Sequence, residues 1–188
     1  MLDRIHKFSR FRVYTGHVFL LVIILMAKPA QPALPYLVVG SIFFLFGMMI
    51  RILAAGTLVK AEELIRGGIY QMTRNPLYLG SLFLGLGLTI MSYRPLMILL
   101  YFVIFIPIYY YMIYLEETFL RSAFGKDFED YAAKVPRLFP APGAPPGLLV
   151  NFSIQRYKAN RELGGNISSL AIALIIWLKF FYQIRALF

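Results

Sequence analysis

The chain of 188 residues has no cysteine, which excludes disulfides, thiolate zinc sites and cysteine nucleophiles together. Its two histidines, His6 and His17, make no H-x-x-x-H or comparable ligand spacing, so no metal site is expected. Acidic residues are few, 9 against 19 lysines and arginines, for a net charge of +10. Such a balance suits either nucleic acid or cytoplasmic loops that face anionic lipid. Hydropathy separates the two. Apolar side chains make up 60% of the chain and charged ones 15%, at a mean hydropathy of +0.69, far from soluble composition. The expectation is one membrane-embedded domain over 1–188, with lipid and not nucleic acid as its surroundings.

A helix needs about 20 residues to cross the hydrocarbon, and the apolar runs can be marked against that length. The first, Val13 to Ala27, follows Arg4, Lys7, Arg10 and Arg12 and reads as an uncleaved anchor; a signal peptide ending near "AKPAQPA" is the alternative. The second, Leu34 to Ala55, begins after "KPAQPALP", whose prolines forbid helix continuation and turn the chain. Arg51 near its end is expected to snorkel to the interface, with an inward-facing role as the competing reading. The third, Leu77 to Ser92, and the fourth, Leu96 to Leu115, are separated by "YRP" and form a tight helical pair. Pro107 is expected to kink the fourth. Gly80, Ser81, Gly85 and Gly87 place small residues along the third span for close packing and not for a nucleotide loop. The last run, Ile167 to Phe188, carries Lys179 and Arg185 and either spans or lies in the interface.

Basic residues orient this arrangement. With a cytoplasmic N-terminus, the basic N-terminal segment, the loop holding Lys60, Arg66 and Arg74, and the basic stretch from Arg121 to Arg161 all fall on the cytoplasmic side. The fold expected is an all-α integral membrane protein, a bundle of four or five transmembrane helices with a cytoplasm-facing cofactor pocket. In a bacterium it would sit in the inner membrane.

Two polar constellations lie on that side. "TRNP" opens the third span, with Asn75 read as the cap that accepts backbone bonds and Pro76 as the first helical residue. Free amides after Pro76, the helix dipole and Arg74 would together favour an anion. At the far end of the pair, Glu116 and Glu117 are read as closing the fourth helix, where the dipole disfavours carboxylates, so a cationic partner is required. A short turn between antiparallel helices brings these two constellations to one side. Either Arg74 simply pairs with Glu116 or Glu117, or the two ends grip a small ligand carrying both signs of charge. S-adenosylmethionine, with a carboxylate, an ammonium and a sulfonium, has that character. Methyl transfer from it demands orientation and exclusion of water more than covalent help, so no triad or metal is needed.

"LIRGGIYQMTRNPLYLG", followed farther on by "EETFLRSAFGKDFEDYAAKVPRLFP", resembles the isoprenylcysteine carboxyl methyltransferases and their relatives, the integral-membrane phospholipid methyltransferases. The matching positions are Gly68, Tyr70, Arg74, Asn75, Pro76, Tyr78, Gly80, Glu116, Glu117, Phe124, Gly125, Tyr131, Val135 and Pro136, within a motif core of about 56–140. The resemblance implies an S-adenosylmethionine-dependent enzyme that methylates a lipophilic acceptor, either a carboxylate or a lipid headgroup. It places the cofactor against Glu62, Glu63, Leu64 and Ile65, against Tyr70, against Asn75, Pro76, Leu77 and Tyr78, and against Glu116, with Arg74, Glu116 and Glu117 as the catalytic candidates. Asn75 stands where eukaryotic members have histidine. Met112 stands where they have an arginine suited to a substrate carboxylate, so either another cation such as Arg121 is recruited or the acceptor differs. After "APGAPPG", the stretch "RYKANRE" offers Arg156, Tyr157, Asn160, Arg161 and Glu162 as a lid over the pocket or, more plainly, as a solvated basic face. Competing with the methyltransferase are a membrane reductase using NADPH, since sterol reductases share a similar motif, and a non-enzymatic helix scaffold.

Overall fold

A computed structural model of the protein describes residues 2–27, 33–59, 63–140, 147, 149–160 and 162–185. These are helical with short connections: α1 Leu2–Met26, α2 Leu34–Thr57, a 3-10 turn Gly68–Gln71, α3 Pro76–Met91, α4 Pro95–Phe124, α5 Lys126–Lys134, α6 Ile154–Ala159 and α7 Glu162–Arg185. α2, α4 and the stretch Glu162–Gln183 of α7 are long and apolar enough to cross a membrane, whereas α3 is a shorter apolar helix. The last hydrophobic run therefore has the length and composition of a span. α1 is long too, but its first half holds the basic cluster. The turn around "KPAQPA" at 28–32 and the proline-rich segment at 141–146 lie outside the described residues.

Prolines set helix starts. α3 and α4 each begin with proline, where the missing N–H costs nothing. Helix ends were less predictable. α4 does not stop at the end of its apolar run: it continues through Glu116 and Glu117 to Phe124, ending at Gly125, whose φ of +51° suits glycine. The two glutamates therefore sit within the helix, where its carbonyls are bonded internally, and the expected conflict with the dipole does not arise. Arg121 occupies the last turn instead. Pro107 lies inside α4 without ending it.

α2 and α3 lie closest together. A Cβ at Gly87 would stand 2.5 Å from both the Gly40 carbonyl oxygen and the Phe44 backbone nitrogen, and Gly47 faces Gly80 and Leu84 just as tightly. Small residues thus let two backbones touch, which is how helices associate where surrounding lipid is as apolar as leucine. Gly85 faces the other way, onto the ring of Tyr101, whose hydroxyl donates to the carbonyls of Ser81 and Leu82 at 3.2 and 3.0 Å. α4 packs on α3 and α1, and α7 packs on α1, α2 and α3. The shared core holds Phe19 and Ile23, Leu37 and Phe44, Leu84 and Leu88, Tyr101 and Phe105, and Ile176 and Phe180, so all five long helices contribute. Aliphatic side chains such as Val18, Ile42, Leu99, Val103 and Leu174 point outward. In an integral membrane protein that apolar belt meets lipid, so it is not an exposed patch in water.

Candidate functional site

At the polar end of α3 and α4 the chain before Pro76 is laced to the segment after α5. Arg74 donates its backbone N–H to the Pro136 carbonyl at 3.0 Å and its guanidinium to the Ala132 carbonyl at 3.1 Å. Thr73 donates to the Arg137 carbonyl at 3.3 Å. Asn75 starts α3 through its main-chain carbonyl, which accepts from Tyr78 and Leu79 at 3.1 Å. Its side chain makes no capping bond, contrary to the cap expected from "NP". The amide nitrogen instead donates to Glu117 Oε1 at 3.0 Å and to the Arg137 carbonyl at 2.9 Å. Both N–H donors of the amide are thereby used, one on a charged acceptor, and these bonds fix the side-chain orientation.

Glu117 is 3% exposed and collects three partners. Arg137 holds Oε2 through Nε at 3.0 Å and through a terminal nitrogen at 2.9 Å, a two-pronged contact. Arg74 Nε lies 3.2 Å from Oε1, near enough for an ion pair though not aligned as a hydrogen bond. Arg74 therefore does have a glutamate partner, and it is Glu117. Glu116, one residue earlier and about 100° around the helix, points elsewhere and accepts from the Tyr78 hydroxyl at 2.6 Å. The paired glutamates thus divide: one locks the helix ends together, the other faces open space.

That space is a cavity of about 460 Å³ lined by Arg12, Arg51, Leu58, Tyr70, Arg74, Asn75, Pro76, Leu77, Tyr78, Ser81, Glu116, Phe119, Leu120 and Glu162. Its volume suits a small-molecule site. Of the residues expected from sequence, Tyr70, Arg74, Asn75, Pro76, Leu77, Tyr78 and Glu116 meet here. Glu117 stands behind the wall. Glu63, Leu64 and Ile65 are not part of the lining; Ile65 packs against a small core with Ile50, Ala54, Ile69 and Leu79. Glu62 lies outside the described residues. Tyr70 is held by its carbonyl, which accepts from Tyr131 at 2.6 Å, and burial pushes both phenols well above their ordinary pKa, so they stay neutral.

Three charged residues complete the wall from distant parts of the chain. The Arg12 guanidinium of α1 stands 5.4 Å from the centre of the Tyr78 ring, within cation–π range, and has no carboxylate partner among the described residues. Arg51 does not snorkel outward. It turns in, donating to Ser81 and pairing with Glu162 at the start of α7. A lone cation within an apolar span was the available signal. Of the lid candidates, Glu162 lines the cavity, whereas Asn160 fastens the end of α2 by donating to the carbonyls of Ala55 and Leu58 at 2.8 and 2.9 Å. Arg156 bonds locally to Asn151, Tyr157 meets Asn166, and Arg161 lies outside the described residues. Arg121 lies away from the cavity, half-exposed and paired with Glu129, and Met112 is buried in the core.

The lining suits the zwitterionic cofactor by its own chemistry. Guanidiniums and carboxylates of both signs stand in one enclosure, Glu116 has a free oxygen beyond its phenol bond, and Leu58, Leu77, Phe119 and Leu120 provide apolar wall for a nucleoside.

The sequence profile described as phospholipid methyltransferase matches residues 34–127. A probable protein-S-isoprenylcysteine O-methyltransferase of Oryza sativa subsp. indica is 31% identical over 109 residues, covering 52% of this chain and 57% of that protein. Protein-S-isoprenylcysteine O-methyltransferase B of Arabidopsis thaliana is 31% identical over 81 residues, covering 42% of this chain and 41% of that protein. The chain spans about half the length of these relatives. No solved structure matches it.

Proposed function

The chain belongs to the phospholipid methyltransferase family, and on that premise we propose that it is an integral-membrane enzyme that moves a methyl group from S-adenosylmethionine to a lipophilic acceptor. The observation that carries this reading is the cavity where α3 begins and α4 emerges, which gathers Glu116 and Tyr78 with Arg12, Arg51 and Arg74 in one lining. Glu116 faces the cationic part of the cofactor, Arg12 its carboxylate, and Tyr70 and the apolar wall its nucleoside. When bound, the cofactor supplies an electrophilic methyl group on sulfur. The protein supplies position, opposite charges at fixed points and a site poor in water. Arg74 and Glu117 position Asn75 and the helix ends. The distribution of basic residues supports a cytoplasmic face for the cavity, from which a soluble cosubstrate would arrive.

The relatives carry the name of enzymes that methylate an oxygen of S-isoprenylcysteine, and the family name points to phospholipid headgroups. A carboxylate acceptor needs no base, whereas an amine must first lose a proton. Thermal unfolding of the purified protein in detergent tests the cofactor: S-adenosylhomocysteine raises Tm and NADPH leaves it unchanged. Glu116→Gln weakens S-adenosylhomocysteine by about tenfold, the loss of one charge-assisted contact, with little change in the Tm of the free protein. A reductase would show the opposite ligand preference, and a scaffold would respond to neither. Incubation with labelled cofactor and a total lipid extract then identifies the methylated product.

A further inference from the structure

Arg51 and Ser81 line the polar cavity on one side and, on the other, a second cavity of about 190 Å³ deeper in the bundle. The rest of that inner wall is mostly apolar, with Phe19, Leu84 and Phe105 among its members, and Arg51 is its one charged residue among the described lining. Gly16 of α1 and Gly165 of α7 also line it, and a Cβ at either would meet nothing within 4 Å. Gly165 is exposed, so the cavity has its mouth between α1 and α7. These glycines differ from those of the α2–α3 seam: here their lack of a side chain leaves room.

We infer that the inner cavity is the acceptor site, taking the apolar stem of a lipid-like molecule whose acidic group, a carboxylate or a phosphate, lies against Arg51. This rests on the reading of the polar cavity as the cofactor site. An acceptor must reach the methyl donor, and Arg51 and Ser81 are wall residues of both cavities. At about 190 Å³ the cavity is little larger than one that holds a benzene ring, so it takes the head-proximal part of a single chain, and the rest of that chain passes out through the mouth between α1 and α7. Charge selects the head. Arg51 uses one terminal nitrogen for Ser81 and the other for Glu162, and a guanidinium has five N–H donors, so donors remain for an oxyanion. The polar cavity already presents Arg12, Arg51 and Arg74 against Glu116 and Glu162, so an amine head would add charge of the sign already in excess. A competing groove between α3 and α4, about 330 Å³ and lined by Phe83, Phe102 and Leu138, shares no residue with the polar cavity.

Photo-crosslinking of the full chain in phosphatidylcholine vesicles with a diazirine-bearing palmitic acid, followed by peptide mapping, tests the site. Label is expected on residues 16–23 and 165–169. Gly165→Leu and Gly16→Leu, whose added side chains enter open space, should each remove most of it while keeping S-adenosylhomocysteine affinity within about twofold. In the absence of cofactor, Arg51→Gln should cut labelling by the acid about tenfold and leave labelling by its neutral methyl ester unchanged. Excess palmitic acid and lysophosphatidic acid, added separately, should reveal by displacement which acid is preferred. Label confined to the Phe83 and Phe102 groove, undiminished label in both leucine variants, or displacement by phosphatidylethanolamine in place of either acid would overturn the assignment. If S-adenosylhomocysteine still binds in those cases, only the acceptor site is lost; if it never binds the wild-type protein, the cofactor reading itself fails.

Discussion

The α2–α3 seam and the flank formed by α1 and α7 both use glycine in apolar helices, to opposite ends. In the seam, Gly40, Gly47, Gly80 and Gly87 bring two backbones into contact and leave no space. On the flank, Gly16 and Gly165 border a cavity. The seam side is also tied at its polar end by the cluster around Glu117 and by the Tyr131 bond to Tyr70. The flank is held more lightly, by contacts such as Lys179 donating to the Ile24 carbonyl at 2.7 Å and Trp177 to Ser41 at 3.1 Å. One side of the bundle is a rigid frame that fixes charged groups, and the other has room for a guest.

The largest effect that would break this contrast is expected at the seam. Gly87→Leu must push α2 and α3 apart, since its Cβ alone collides with main-chain atoms; we expect a loss of about 3 kcal/mol or more and failure to yield folded protein in detergent. A normal melting curve would show that the seam is not tightly packed. Next comes Glu117→Gln, which strips the counterion from buried Arg74 and half-exposed Arg137. Breaking such a buried cluster costs about 3–5 kcal/mol, read as a fall in the midpoint of a denaturant titration, well beyond any change in Glu116→Gln.

A smaller change is expected for Tyr131→Phe, which deletes the 2.6 Å bond to the Tyr70 carbonyl and should cost about 1 kcal/mol. Its pH dependence sharpens the assignment. Both phenols are raised by burial, so the folded protein keeps protons that the unfolded chain releases near pH 10. The stabilisation is complete below that pH and declines as pH climbs beyond it. Tm plotted against pH should therefore fall less steeply in Tyr131→Phe than in the wild type. Smallest is Gly165→Ala on the flank. A methyl group there meets nothing, and replacing glycine within a helix stabilises by about 0.5–1 kcal/mol. A Tm equal to or above that of the wild type fits an open cavity wall; a clear loss would mean that α7 packs where the cavity lies.

Much of this was legible because local rules suffice. A short turn between antiparallel apolar helices forces Arg74 and Asn75 toward Glu116 and Glu117, and the structure brings them together. How the two glutamates divide their work was not legible. It depends on helix phase and on where the chain after α5 returns with Arg137, neither of which is visible in the dipeptide. The same dependence misled the reading of Asn75 as a cap: its side chain follows a carboxylate supplied by a helix far along the chain. The end of α4 was misplaced because hydrophobicity stops at Leu115 while the helix, satisfied by its own hydrogen bonds, runs on to glycine.

Composition and pattern alone determined an all-helical membrane protein, its proline-set helix starts, its glycine-rich third helix and a motif core whose charges meet at one end. Tertiary structure alone decided that Arg12, Arg51 and Glu162 join that core, that Glu117 locks it while Glu116 faces the cavity, and that a second cavity lies behind Arg51. The reason is range. Helix periodicity and turn length act over a few residues and are written in order along the chain, whereas a cavity wall is assembled from helices that pack by shape, and no single stretch of sequence encodes what its neighbours will be.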